Sequence, residues 1–165
     1  MLQSSAEFGA TDKVTDQKAC YAKGLELLVR REHSRKELRG KLLLRSFSED
    51  MVEHTLGLLE QEGFLNDARF AEAFVHYRYG KGQGPERIRS ELMERGIEGQ
   101  MASEPLNSAE YDWFEAAKKA YMRKYGAEYS GEIADINERM KRQRFMRYRG
   151  FTHEQIRYAQ EGDRT

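Results

Sequence analysis

The chain has 165 residues, 39% of them hydrophobic and 34% charged, with 28 Lys+Arg against 28 Asp+Glu and two prolines. Balanced charge excludes a wholesale polycation or polyanion, and no apolar run approaches the ~20 residues that span a bilayer. One cysteine, Cys20, excludes an internal disulfide and leaves no zinc-ligand cluster, so it is expected to pack in a helix.

Scarce proline and abundant Leu, Arg, Glu, Lys and Ala predict an all-α fold, because straight side chains lose little rotamer freedom in a helix. Residues 1–17 are polar and aperiodic, without a basic start or apolar stretch of a secretory signal, and read as a disordered segment. From Lys18 the pattern becomes helical, with Tyr21, Leu25, Leu28 and Val29 on one predicted face. Ser34 and Glu37 form a capping box for a second helix carrying Leu38 and Leu42 and ending near Arg45. Ser48 caps a third, with Glu49 and Asp50 at its positive end, Met51, Val52, Leu56 and Leu59 inward, and Gly63 as its stop.

The phrase then repeats. Asn66 caps a helix with Phe70, Phe74 and Tyr77 buried, and Gly84-Pro85 opens one built on Ile88 and Leu92 that stops near Gly96. A short helix then runs until Pro105 ends it. A third copy starts near Tyr111 with Trp113, Phe114, Ala117 and Tyr121. It continues through a long helix holding Ile133, Ile136, Met140, Phe145 and Met146, and closes with a helix capped by Thr152 and Gln155 that buries Ile156 and Ala159.

Arg45-Ser46-Phe47, Arg95-Gly96-Ile97 and Arg149-Gly150-Phe151 recur at a period of about 50, each ending a middle helix, with Leu42, Leu92 and Met146 at one offset upstream. Arg142 breaks the register, standing where Leu38 and Ile88 predict an apolar residue. The expected organisation is three tandem three-helix modules, 18–64, 65–109 and 110–162, with a tail at 163–165. They stack as an elongated array whose long faces suit a filament or strand.

No catalytic constellation stands out. Gly80-Lys81-Gly82-Gln83-Gly84-Pro85 lacks the Lys-Ser/Thr pair and preceding strand of a phosphate loop and reads as a flexible inter-helix hinge. His33, His54, His76 and His153 lack metal-ligand spacing and are expected at or near the surface. Asp67 reads as an acid at the positive end of its own helix. The charge is unevenly spread: residues 30–45 and 139–149 are basic and 49–73 acidic. Two readings stand: ordinary solvated helix faces, or a basic ridge facing phosphates or acidic partners. The candidate ridge comprises Arg35, Lys36, Arg39, Arg45, Arg87, Arg89, Arg95, Arg142, Arg144 and Arg149, since the planar guanidinium pairs bidentately with carboxylate or phosphate. Tyr77, Tyr79, Tyr121, Tyr125 and Tyr148 read as core packing ahead of base stacking.

The segment Gly63-Phe64-Leu65-Asn66-Asp67-Ala68-Arg69-Phe70-Ala71, followed by Gly82-Gln83-Gly84-Pro85-Glu86-Arg87-Ile88-Arg89-Ser90-Glu91-Leu92 and Arg95-Gly96-Ile97, resembles the signatures of the RecX regulatory family in order and spacing. Weaker matches at 34–41 and 144–151 extend the resemblance over roughly 18–160; the chain departs from the pattern mainly at 98–110. The resemblance implies a curved array that lodges in the groove of the RecA–DNA filament and inhibits RecA's strand exchange, ATP hydrolysis and co-protease activity. Such a chain modulates DNA repair and the SOS response. Its partner is then the RecA filament; the residues themselves, with no secretory signal, membrane span or catalytic constellation, read as those of a cytoplasmic, non-enzymatic protein, and weak single- or double-stranded DNA contact is compatible with filament binding. No cofactor, metal, membrane or small-molecule substrate is expected. The competing class is a helical module that binds DNA directly, without RecA.

Overall fold

The computed structural model describes residues 5–126, 133 and 135–161, with side chains from Thr15 onward. Among them every regular element is helical: α1 (Ser5–Arg30), α2 (Arg35–Leu43), α3 (Glu49–Gln61), α4 (Asp67–Gly80), α5 (Pro85–Glu94), α6 (Gly99–Leu106), α7 (Trp113–Tyr125), α8 (Ile136–Arg149) and α9 (His153–Glu161). They form three three-helix domains, and the chain divides into two compact units, 1–70 and 71–165. Residues 1–4 and the expected tail at 163–165 lie outside the described residues.

Capping chemistry sets the helix starts. The Ser34 hydroxyl accepts from Glu37 N–H at 3.1 Å, Ser48 from Met51 at 3.3 Å, and Asn66 Oδ1 from Arg69 at 2.9 Å. Thr152 and Gln155 make a reciprocal capping box, Gln155 N–H to the hydroxyl and Thr152 N–H to the amide oxygen. Pro85 sits in the first turn of α5, where no intrahelical donor is needed. The middle helices α2, α5 and α8 each end in a left-handed residue, Ser46 (φ 66°), Gly96 (φ 80°) and Gly150 (φ 96°). That turn folds Ile97 and Phe151 back as buried residues and Phe47 as a half-buried one against the first core.

In the first unit the core is Cys20, Leu27, Leu38, Leu42, Val52, Leu56, Leu59 and Leu65. In the second, Ala71, Val75, Ile88, Leu92, Ile97, Ala102 and Leu106 are buried in the middle domain. The third domain's core comprises Ala116, Ala117, Ala120, Tyr121, Met146, Phe151, Ile156 and Ala159.

Several sequence expectations are corrected. Helix α1 begins at Ser5, inside the segment expected to be disordered, because a nucleated helix propagates cheaply through residues such as Ala6, Glu7 and Ala10 when no proline interrupts it. Its buried stripe is Cys20, Gly24 and Leu27, which leaves Val29 85% exposed. In α4 the inward residues are Phe70, Ala71 and Val75, and Tyr77 is exposed. Pro105 lies inside α6 rather than ending it, since so near a C-terminus it removes one hydrogen bond and the helix finishes at Leu106. Ile133 precedes α8, while Ile136 and Met140 are exposed on it. His33 is buried, unlike His54, His76 and His153.

Candidate interaction surface

In the first unit, the basic stretch on α2 and the acidic stretch on α3 are two sides of one electrostatic seam. Arg35 pairs with Glu53 at 2.8 Å and Glu60 at 3.0 Å, and Arg39 with Glu53 at 2.8 Å and Glu49 at 3.7 Å. Arg35 first, then Arg39, hydrogen-bonds the Glu53 carboxylate and holds it below its usual range. Arg45 turns back to donate to Lys41 O at 2.7 Å, relieving a carbonyl near the helix end. Of the three candidates on α2, Lys36 is exposed with no ion pair among the described residues.

The signature residues hold helix junctions. Asp67 accepts from Arg35 N–H at 2.7 Å, so its carboxylate caps α2 as well as opening α4. Arg69 donates to Glu32, to Gly63 O at 3.1 Å and to Phe64 O at 3.0 Å, tying the α3–α4 turn to the end of α1. Tyr21 donates to Glu62 beside it.

In the second unit, Glu91 is the equivalent hub. Arg87 Nε donates to it at 2.9 Å from one helical turn back, and Arg78 Nε of α4 lies 3.0 Å from its other oxygen. Arg95 donates to Glu91 O at 2.7 Å and lays its guanidinium 4.8 Å over Phe74. The Gly-rich segment between α4 and α5 is no loose hinge. Gly84 N–H donates to Arg149 O at 2.8 Å and Glu86 N–H to Gly150 O at 3.0 Å, so the α5 N-terminus meets the α8 C-terminus. Opposite ends of two helix dipoles thus satisfy each other's orphan groups. Arg149 locks the joint by donating to Gly82 O at 3.1 Å and Lys81 O at 2.7 Å. A Cβ on Gly84 would stand 2.3 Å from Gly150 O, and one on Gly150 would stand 2.3 Å from Arg87 Cβ. These contacts join residues more than sixty positions apart, which no local pattern discloses.

Arg142 does not belong to an exposed ridge. It is 5% exposed, donates to Tyr121 Oη at 2.9 Å and Glu138 at 2.8 Å, and stacks 4.6 Å from the Tyr125 ring centre. Lys36, Arg45, Arg89 and Arg144 of the ten ridge candidates are exposed without an ion pair among the described residues, Arg45 with a hydrogen bond to Lys41 O; the others partly or wholly serve internal contacts. Arg147, outside the expected ridge, is also exposed and unpaired among the described residues, and Tyr148 beside it, expected to pack in the core, is exposed instead. The acid-free run 139–149 was the signal for Arg147.

Tyr121 is buried and Tyr79 and Tyr125 half-buried, packing against Trp113 and Phe145 respectively in the second unit. Trp113 Nε1 donates to Leu106 O at 2.9 Å, anchoring α7 to the end of α6. Among the described residues no group of His, Cys, Asp and Glu could hold a metal ion, and no helix is long and apolar enough to cross a membrane.

These features define an all-helical protein of three repeated three-helix domains whose characteristic residues fasten one helix end to another. The family models of the first, second and third three-helix domains of RecX match residues 20–58, 66–106 and 110–159. The chain is 43% identical over 135 residues to "Regulatory protein RecX" of Halorhodospira halophila, covering 82% of each chain. It is 39% identical over 132 residues to that of Pseudomonas putida, covering 80% of this chain and 83% of the relative. The chain belongs to the RecX family of regulatory proteins. The crystal structure of RecX from Lactobacillus salivarius shares the fold at TM-score 0.73 and 23% identity, covering 88% of this chain and 95% of that one. A second crystal structure, of a regulatory protein RecX, does so at TM-score 0.79 and 19% identity, covering 98% of this chain and 80% of that one.

Proposed function

We propose that this chain binds the RecA–DNA filament and restrains RecA's strand exchange, ATP hydrolysis and co-protease activity. It acts in the cytoplasm by occupancy, without chemistry of its own, through modules at 18–64, 65–109 and 110–162. The observation that carries this reading is the ordered match of all three RecX domains across residues 20–159, beside relatives named as regulatory proteins over four fifths of the chain. The charge distribution is consistent with it. Arginines on α2 and α5 are largely spent on intradomain carboxylates, leaving Lys36, Arg89 and Arg144 in solvent for a partner, with weak DNA contact as an accompaniment.

The test is RecA's ATPase on single-stranded DNA with this protein titrated in. Suppression below one chain per RecA is the expected result. An ATPase untouched at excess overturns the proposal. If the protein instead binds bare DNA tightly, with a steep salt dependence from counterion release, and leaves RecA alone, the direct DNA-binding reading replaces it.

A further inference from the structure

The three middle helices share a repeat position but differ in what answers their charge. The α2 arginines meet Glu49, Glu53 and Glu60, and Glu91 answers Arg87 and Arg78. On α8 the acid, Glu138, lies on the inward side, where it serves buried Arg142, with Lys141 at 3.9 Å. The outward side carries Ile136, Met140, Arg144, Arg147 and Tyr148, spaced so that 3.6 residues per turn align them in one stripe, with Lys141 at its edge. Arg144 and Arg147 are exposed and have no ion pair among the described residues. Ile136, Met140 and Tyr148 are 57%, 53% and 74% exposed, three large apolar side chains on a single outward face. Arg87 reaches from α5 to lay its guanidinium 5.0 Å from the Tyr148 ring centre, which holds that ring in place on the surface.

This mixture selects the occupant. A groove that tracks a nucleic-acid backbone combines cations with aromatic platforms and has no use for exposed Ile and Met. Protein interfaces, by contrast, are enriched in Met, Tyr and Arg at their centres. We propose that the outward face of α8 is a protein-docking surface for a partner patch that presents Asp or Glu carboxylates around an apolar centre. Resting on the functional reading above, that patch belongs to the RecA filament. Arg144 and Arg147 pair with its carboxylates, and Ile136 and Met140 lose their water to its apolar side chains.

Two variants test it: Arg144→Gln/Arg147→Gln, and Ile136→Ser/Met140→Ser. All four side chains are solvent-exposed, so helicity by circular dichroism should match that of the unaltered chain. Binding of fluorescently labelled full chain is measured to RecA filaments on single-stranded DNA with a non-hydrolysable ATP analogue, and to the same DNA without RecA. Each variant should bind filaments at least tenfold more weakly, with bare-DNA binding changed less than twofold. Filament affinity unchanged in the Ile136/Met140 variant overturns the inference alone. Bare-DNA binding lost in the arginine variant, with the Ile136/Met140 variant unaffected, makes the face a nucleic-acid surface and also overturns it. If the unaltered chain ignores filaments, the RecA reading itself falls, and this assignment falls with it.

Discussion

Arg142 occupies, in the third domain, the core position that Leu38 and Ile88 hold in the first and second. A buried guanidinium survives there because Tyr121 and Glu138 accept its hydrogen bonds and the Tyr125 ring stacks against it, offsetting desolvation. Arg142→Ala should cost about 2–3 kcal/mol by leaving a cavity and an unpaired Tyr121 hydroxyl, whereas Arg142→Leu leaves the same hydroxyl unpaired but fills the cavity and should cost about 1 kcal/mol less. Urea unfolding separates the two. His33 carries a second residue-scale consequence. Its Nδ1–H donates to Arg31 O at 2.9 Å and its Nε2 accepts from Lys41 at 3.0 Å. Burial, with the nearby positive charges of Arg31 and Lys41, pushes its pKa below the ordinary ~6.5. The unfolded chain therefore takes up the proton first, and stability from the neutral ring is present above about pH 6.5 and declines as pH falls through it. Urea midpoints between pH 7.5 and 5.5 should show this decline, and His33→Gln should flatten it.

At the scale of the helix, two glycines have opposite roles. Gly57 lies inside α3 with open space around its missing Cβ, so Gly57→Ala should stabilise by roughly 0.5–1 kcal/mol through helix propensity. Gly150 combines φ 96° with the close approach of Arg87, and Gly150→Ala should destabilise by at least ~2 kcal/mol, loosening the α5–α8 joint. Ser46 fills the same turn in the first domain at φ 66°, so Ser46→Gly should gain about 0.5–1 kcal/mol. Thermal melts rank all three. The two glycine-turn positions were legible from the Arg-Gly-apolar repeat. The clash at Gly150 was not, because it depends on Arg87, which lies far away in the chain.

For the whole molecule, the consequence is a redistribution of charge. A chain with equal numbers of acids and bases cancels most of its basic charge within the first domain, while the outward side of α8 in the third stays cationic. Raising salt from about 50 to 300 mM should therefore weaken filament binding mainly through Arg144 and Arg147, with little effect on the fold. The double glutamine variant at those two positions should show a visibly shallower salt dependence of filament binding than the unaltered chain. Equal slopes would place the charge–charge contacts elsewhere.

By itself the sequence determined the helical class, the threefold repeat, the caps at Ser34, Ser48, Asn66 and Thr152, and the left-handed turns that end the middle helices. Each of these is written in neighbouring residues, whose spacing and hydrogen-bonding capacity act over one or two turns. Tertiary structure alone decided which arginines are spent and which are free. Arg35 and Arg39 face Glu53 across the α2–α3 packing, Arg142 is drawn inward by two tyrosines, and Arg149 closes on the Gly82 backbone. It likewise turned Ile136, Met140 and Tyr148 to the outside. Helical periodicity says which residues share a face; only the neighbouring helix says whether that face is covered.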